Sequence, residues 1–133
     1  MEPSPEPAGP RVLLADDEPH IRRLLRTFLE EAGFRVTAVA DGGEALRVLQ
    51  GPEPLEMILL DIMMPVKSGL QVLESLRRLP HRNDTPVVIL TAKGQDADRE
   101  RAFLLGATEF VTKPFSPRKL LALLQQLLGE GRN

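Results

Sequence analysis

Five side chains of this sequence have the types and positions to do chemistry together. Asp16 and Asp17 follow the apolar run Val12-Leu13-Leu14-Ala15, and Asp61 follows Met57-Ile58-Leu59-Leu60. Thr91 follows Val87-Val88-Ile89-Leu90, and Lys113 follows Glu109-Phe110-Val111-Thr112. Carboxylates gathered closely repel one another, so such a cluster needs a cation or raised pKa values. Carboxylate, carbonyl and water ligands suit Mg²⁺ or Mn²⁺. With that charge screened by the metal and by Lys113, an anionic phosphate can approach, and Asp61 can attack phosphorus in line to give an aspartyl phosphate. Thr91 can then donate its hydroxyl to a phosphoryl oxygen, and the new charge draws Thr91 and Lys113, with the loops they head, toward it. Each residue alone has a plainer explanation. Asp favours turns, Asp17 can cap a helix, a β-branched Thr91 suits a strand, and a lysine before proline is an ordinary surface residue. It is their joint placement that carries the chemistry.

The elements that must position them alternate along the chain. After the first strand, Pro19 suits the first turn of a helix. Ile21, Leu24, Leu25, Phe28 and Leu29 then form its apolar stripe, and Gly33 stops it. Phe34, Val36 and Ala38 alternate with Arg35, Thr37 and Val39 in a half-buried strand. Asp41-Gly42-Gly43-Glu44 has capping-box spacing and opens a short helix, which ends at Gly51-Pro52. The Met57 to Asp61 strand precedes a second capping pattern, Ser68-Gly69-Leu70-Gln71, and a helix that Pro80 closes. After the Val87 strand comes a helix polar from Gln95 to Arg101 and apolar at Ala102, Leu104 and Leu105. Its stop is Gly106. The fifth strand is Glu109 to Thr112, and Ser116-Pro117 opens a leucine-rich helix to about Leu128. Strands of nearly continuous apolar residues separated by amphipathic helices predict a parallel sheet covered on both faces. Right-handed crossovers make this a doubly wound (βα)5 α/β domain, with a five-stranded parallel sheet of flavodoxin-like order 2-1-3-4-5 between two helical layers. Its functional crevice lies beyond the carboxyl ends of the strands, where the five residues collect.

Composition narrows the classes. The 133 residues suit one domain, and a net charge of −2 gives no basic face for direct nucleic-acid binding. There is no cysteine, which excludes disulfides, thiol nucleophiles and thiolate metal sites. His20 and His81 are far apart, which argues against a histidine zinc site. No apolar run is long enough for a membrane span. Residues 1–10 are Pro-rich and read as a disordered tail without signal character, 11–129 as the domain, and 130–133 as a C-terminal tail. The expected location is cytoplasmic.

Asp16-Asp17, Asp61-Ile62-Met63-Met64-Pro65, Thr91-Ala92 and Lys113-Pro114-Phe115, in this order on five βα units, resemble the receiver domain of two-component response regulators. The likeness runs from about residue 11 to 128. It implies a signalling switch that catalyses only its own phosphorylation and dephosphorylation, with Asp61 phosphorylated from a histidine kinase or histidine phosphotransfer protein. It further implies that Asp17 and Asp61 hold Mg²⁺ directly, Asp16 through water and Met63 through its backbone carbonyl. Phe110 falls on the family's switch-aromatic position, turning inward when Thr91 moves. A cis Lys113-Pro114 bond is usual there. Met63 and Lys93 match positions that flank the attacking water; an apolar Met63 cannot orient it and Lys93 can shield the phosphoryl group, so slow self-dephosphorylation is expected. The outputs implied are a downstream protein or an effector domain of the same regulator.

Two surfaces carry further expectations. Leu120, Leu121, Leu123, Leu124, Leu127 and Leu128 fill an arc of roughly 160°, with Leu121 and Leu123 at its margins. Two readings stand: a generous core face, and a surface for a partner or homodimer. The charged pairs through which winged-helix regulators dimerise do not stand out. Arg22, Arg23 and Arg26 face outward on the first helix, on the side that resembles the family's kinase-docking face. Among competing readings, a flavodoxin-like cofactor binder would present Asp16-Asp17-Glu18 to a phosphate and repel it. An aspartyl-nucleophile phosphohydrolase would want a second acid where Met63 stands. A transcription factor would need a DNA-binding domain, so the chain reads as a stand-alone receiver or as the receiver of a longer regulator.

Overall fold

Runs of aliphatic residues with no polar interruption can only be satisfied at the centre of a sheet, and that is where they lie. The structure, a computed structural model, describes residues 9–92, 96–113 and 115–131. Strands β1 (Arg11–Ala15), β2 (Arg35–Val39), β3 (Met57–Asp61), β4 (Val87–Ala92) and β5 (Glu109–Lys113) form one parallel sheet in the order β2-β1-β3-β4-β5. The predicted order is borne out. Every residue of β3 is buried. Helices α1 (Pro19–Glu31), α2 (Gly42–Gln50), α3 (Gly69–Leu76), α4 (Asp96–Leu104) and α5 (Pro117–Gly131) cover it.

Strand alternation divides the core in two. Leu13, Ile58, Leu60 and Ile89 pack with Leu49 of α2, Leu73 of α3 and Ala102 of α4. Val12, Leu59, Val88 and Leu90 pack on the other face with Leu25 and Leu29 of α1 and Leu120 and Leu124 of α5. Each fully buried leucine contributes about 1.5–3 kcal/mol of apolar transfer, so register is strongly fixed: a one-residue slip would expose a whole set.

Helix starts follow the local chemistry. Ser68 and Gln71 form a complete capping box, and the Asp41 side chain accepts from Glu44 N at 2.8 Å. Glu18, not Asp17, occupies the N-cap of α1, with no side-chain cap bond, and Pro19 follows it. Gly33 and Gly106 stop their helices at φ 98° and 97°.

Three features differ from expectation. Leu24, placed in the α1 stripe, is half exposed, because Ile21, Leu25 and Leu29 already fill the contact with the sheet. The apolar end of the fourth helix is only partly a core face: Ala102 is buried and Leu105 packs half-buried on the core, but Leu104 is 86% exposed and Phe103 is also exposed. Helix α5 runs to Gly131, past Leu128. Its leucine arc is graded as its geometry requires, with Leu120, Leu124 and Leu127 buried and Leu121, Leu123 and Leu128 half-buried. Of the expected tails, residues 1–8 and 132–133 lie outside the described residues, as do Lys93, the Gln95 start of the fourth helix, and Pro114 with the isomer of its peptide bond. Gly9 and Pro10 are held against β2, their carbonyls accepting from Arg35 Nε at 3.0 Å and Arg35 N at 2.9 Å.

Candidate functional site

β1 and β3 are direct neighbours with Ala15 opposite Leu60. The residue that follows each strand position, Asp16 after Ala15 and Asp61 after Leu60, therefore emerges at the same level of the sheet. β4 lies on the other side of β3 with Leu90 opposite Asp61, so Thr91 stands one step further out. β5 follows with Lys113 opposite Ala92. Four strand ends thus converge on one crevice.

The carboxylates of Asp16, Asp17 and Asp61 each offer an oxygen, and these oxygens lie within 4.8 Å of one another. Asp16 is fully buried, Asp61 is buried and Asp17 is exposed. Lys113 Nζ bridges the first two, 2.8 Å from Asp16 Oδ2 and 3.2 Å from Asp61 Oδ2. Asp61 Oδ1 accepts from Met63 N at 3.3 Å, and Asp16 Oδ1 from Glu18 N at 2.9 Å. Burial pushes the Asp61 carboxyl up to about 6, with the Asp16 charge adding to the rise and Lys113 opposing it. Burial alone would pull the Lys113 ammonium down. Its hydrogen bond to Asp16 and the charges of Asp61 and Asp16 outweigh that, so its pKa is raised. The lysine is therefore a fixed positive charge at neutral pH. The donor set is all oxygen and over-supplied with negative charge, and one ligand, Asp17, is open to solvent. These residues fit a hard divalent cation such as Mg²⁺.

Thr91 is fully buried at the edge of the crevice. Phe110 pairs with Ile89 in register, two residues before Thr91, and packs partly against the same core cluster. Its ring lies under Arg99 of α4, whose guanidinium carbon is 6.0 Å from the Phe110 centroid and 5.9 Å from that of Phe103. The Met63 side chain is 62% exposed at the rim.

Some participants were not found in the sequence. Arg22 is only half-exposed, and its Nη1 donates to the Asp16 carbonyl at 2.8 Å, bracing the residue that Lys113 holds from the other side. Its position six residues after Asp16, in the first turn of α1, was the available signal. Gly69 lets the Asp61 peptide approach α3: a Cβ there would stand 2.3 Å from the Asp61 carbonyl oxygen. A glycine directly after the capping serine was its signal.

A family model described as the response regulator receiver domain matches residues 12–125. The probable transcriptional regulator ycf27 of Cyanophora paradoxa is 42% identical over 123 residues, which are 92% of this chain and 50% of that protein. The phosphate regulon regulator PhoB of Klebsiella pneumoniae is 41% identical over 118 residues, 89% of this chain and 51% of its own length. The chain thus spans about half the length of these curated relatives. Among solved structures, the magnesium-bound receiver domain of the sensor histidine kinase PA1611 from Pseudomonas aeruginosa superposes with a TM-score of 0.84 at 32% identity, covering 92% of this chain and 99% of that chain. With the doubly wound sheet, the clustered aspartates and these matches agreeing over nearly all of the described chain, the protein belongs to the response regulator receiver domain family.

Proposed function

We propose that this chain is a phosphorylation switch in which Asp61 is the phosphoacceptor, loaded from a histidine kinase or histidine phosphotransfer protein. The observation that carries the reading is the single lysine bridging two buried aspartates beside a third, solvent-open one. Asp17, Asp61, the Met63 carbonyl and, through water, Asp16 would hold Mg²⁺ or Mn²⁺. When bound, the cation would neutralise the carboxylates and offset charge on the phosphoryl oxygens. An Asp61 oxygen attacks phosphorus, the phosphorus–nitrogen bond to the donor imidazole breaks, and the imidazole leaves with the bonding pair and takes up a proton. Lys113 stays charged and stabilises the equatorial oxygens. The switch resets by hydrolysis: water attacks phosphorus and gives up a proton, the phosphorus–oxygen bond to Asp61 breaks, the carboxylate leaves with the bonding pair, and inorganic phosphate is released. Support for the metal comes from the PA1611 receiver, described with magnesium coordinated in its active site cleft. The chain acts on itself alone and is no multi-turnover enzyme. It works in the cytoplasm, where such kinases draw on ATP; no helix among the described residues is long and apolar enough to cross a membrane.

The output is carried by the face of α4, β5 and α5, read by a downstream protein, by an effector domain of a longer regulator or by a second copy in a homodimer. Thr91 moves to the phosphoryl group and Phe110 follows inward. Adding beryllofluoride with Mg²⁺ should therefore shift the backbone amide resonances of Thr91 and of 109–113 together; shifts confined to 61–63 would contradict the switch. Arg99 opposes the move, since its guanidinium lies over the Phe110 ring in a cation–π contact of about 0.5–1 kcal/mol that the movement would break. Arg99→Ala is expected to accept phosphate from acetyl phosphate about two- to fivefold faster, through a more populated competent conformer, in a mass-spectrometric time course. Met63→Asn should lose phosphate about tenfold faster, the worth of one hydrogen bond to the attacking water. An unchanged decay of the phosphorylated protein would remove Met63 from that role. Lys93 is proposed as a shield of the phosphoryl group in the same decay.

A further inference from the structure

The connection between β3 and α3, residues 62–68, rests on the first turn of α2, and none of the roles above uses that contact. Gly42 N–H donates to the Pro65 carbonyl at 3.2 Å. The Lys67 carbonyl oxygen lies 2.1 Å from where a Cβ on Gly42 would be, so only glycine permits the approach. A Cβ on Gly43 would stand 3.1 Å from Val66 Cγ1. Pinned from this side, the chain turns through Val66 at φ 72°. Lys67 N–H closes the turn on the same Pro65 carbonyl at 2.8 Å. This is a γ-turn of the rare positive-φ kind, strained for any L-residue and most of all for a β-branched one. The Val66 side chain is 76% exposed, so its own burial does not explain the conformation. Strain of this sort persists only where the surroundings over-determine it. Here the surroundings are the glycine pair of α2.

The other end of the connection is anchored as firmly. Gly69 N–H donates to Ile62 O at 2.9 Å, and Ser68 caps α3. Met63 sits between the two anchors, with its N–H on Asp61 Oδ1. Only Met64 separates it from Pro65, so displacing Pro65 and Lys67 pulls on its peptide. We infer that Gly42 is a positioning residue for the metal site: by pinning Pro65 and Lys67 against α2 it fixes the peptide of Met63, whose carbonyl is the one ligand that no side chain supplies. This rests on the metal-site reading above and adds a residue of α2 that touches neither metal nor phosphate.

The test is a Mg²⁺ titration of the full chain, followed by backbone amide shifts, together with thermal unfolding without metal. Gly42→Ala is expected to weaken Mg²⁺ binding at least about tenfold, the scale on which outer-shell supports act. Val66→Gly relieves the strain but leaves the pin, so it should raise Tm and keep the dissociation constant within about twofold. The double variant should regain part of the lost affinity, because glycine at 66 lets the loop give way to the new methyl group. A merely structural Gly42 would lower Tm and leave Mg²⁺ affinity alone. Gly42→Ala that binds Mg²⁺ as the parent does overturns the inference. Should that variant not fold, Gly43→Ala crowds Val66 Cγ1 at 3.1 Å and the capping Asp41 Oδ1 at 3.2 Å but not the Lys67 carbonyl; about a threefold loss is expected by the same support, and unchanged affinity is the contrary result. A parent that binds no Mg²⁺ removes the metal-site reading and this inference with it, whereas a binding parent beside an equally binding Gly42→Ala removes the inference only.

Discussion

Lys113→Ala is expected to slow phosphoryl transfer to Asp61 by about 10²–10³-fold, the loss seen when one preorganised donor to a developing anion is removed. The side chain does two things at once. Its Nζ lies 2.8 Å from Asp16 Oδ2 and 3.2 Å from Asp61 Oδ2, so it neutralises a pair that would otherwise repel. It also lowers the Asp61 pKa against burial and Asp16, which raise it. Without it the Asp61 carboxyl rises further, so less of it is ionised as a nucleophile near neutral pH. The pH–rate profile of the variant should therefore shift to higher pH, which distinguishes lost electrostatics from lost folding. Breaking a buried ion pair costs about 3–5 kcal/mol. Asp61 can escape part of this by protonating, so urea unfolding should place the variant near the lower end. A rate within about threefold of the parent, at a matched folded fraction, would show that Lys113 supplies no part of the transition-state field.

Asp61→Asn should stabilise the metal-free chain at neutral pH while abolishing phosphorylation. The folded-state pKa of Asp61 is raised from 3.8 to about 6. A raised carboxyl binds its proton more tightly when folded, so its contribution is fully present below the unfolded value and is lost as pH rises through the folded one. The window runs from about pH 4 to pH 7, and the shift corresponds to about 3 kcal/mol. Lys113, whose pKa is also raised, loses its contribution only in the alkaline range, outside this window. In EDTA, denaturation of the parent should thus show stability falling across that window, and Asp61→Asn should flatten the fall. Mg²⁺ should restore the parent, by about 2.7 kcal/mol at a hundredfold excess over its dissociation constant. A parent whose stability rises with pH over this range would show that the carboxyl is not strained by its surroundings.

Much of this was legible in the residues. Three uninterrupted apolar runs and a shorter fifth strand, each ending on polar residues, required a sheet buried on both faces and placed the polar ends together. Asp16, Asp61, Thr91 and Lys113 followed from that alone. Periodicity was less informative about how wide a buried face is. Leu24 fits the α1 stripe by spacing, yet its neighbours had already filled the contact, and Leu104 faces solvent while Ala102 and Leu105 make the contact with the core. Contacts between backbones far apart in sequence left no trace. Nothing in Asp41-Gly42-Gly43 distinguishes a helix start from a surface on which residues 65–67 must rest. A left-handed Val66 runs against the preference of its own side chain, so only the packing around it reveals it.

The proposed switch turns on one covalent event at one atom. Incubation with acetyl phosphate and Mg²⁺, followed by intact-mass measurement of the parent and of Asp61→Asn, tests it most directly. The parent should gain the mass of a single phosphoryl group, lost again on hydroxylamine treatment as an acyl phosphate must be, and Asp61→Asn should gain none. No adduct on the parent, or an equal adduct on the variant, would contradict Asp61 as the phosphoacceptor.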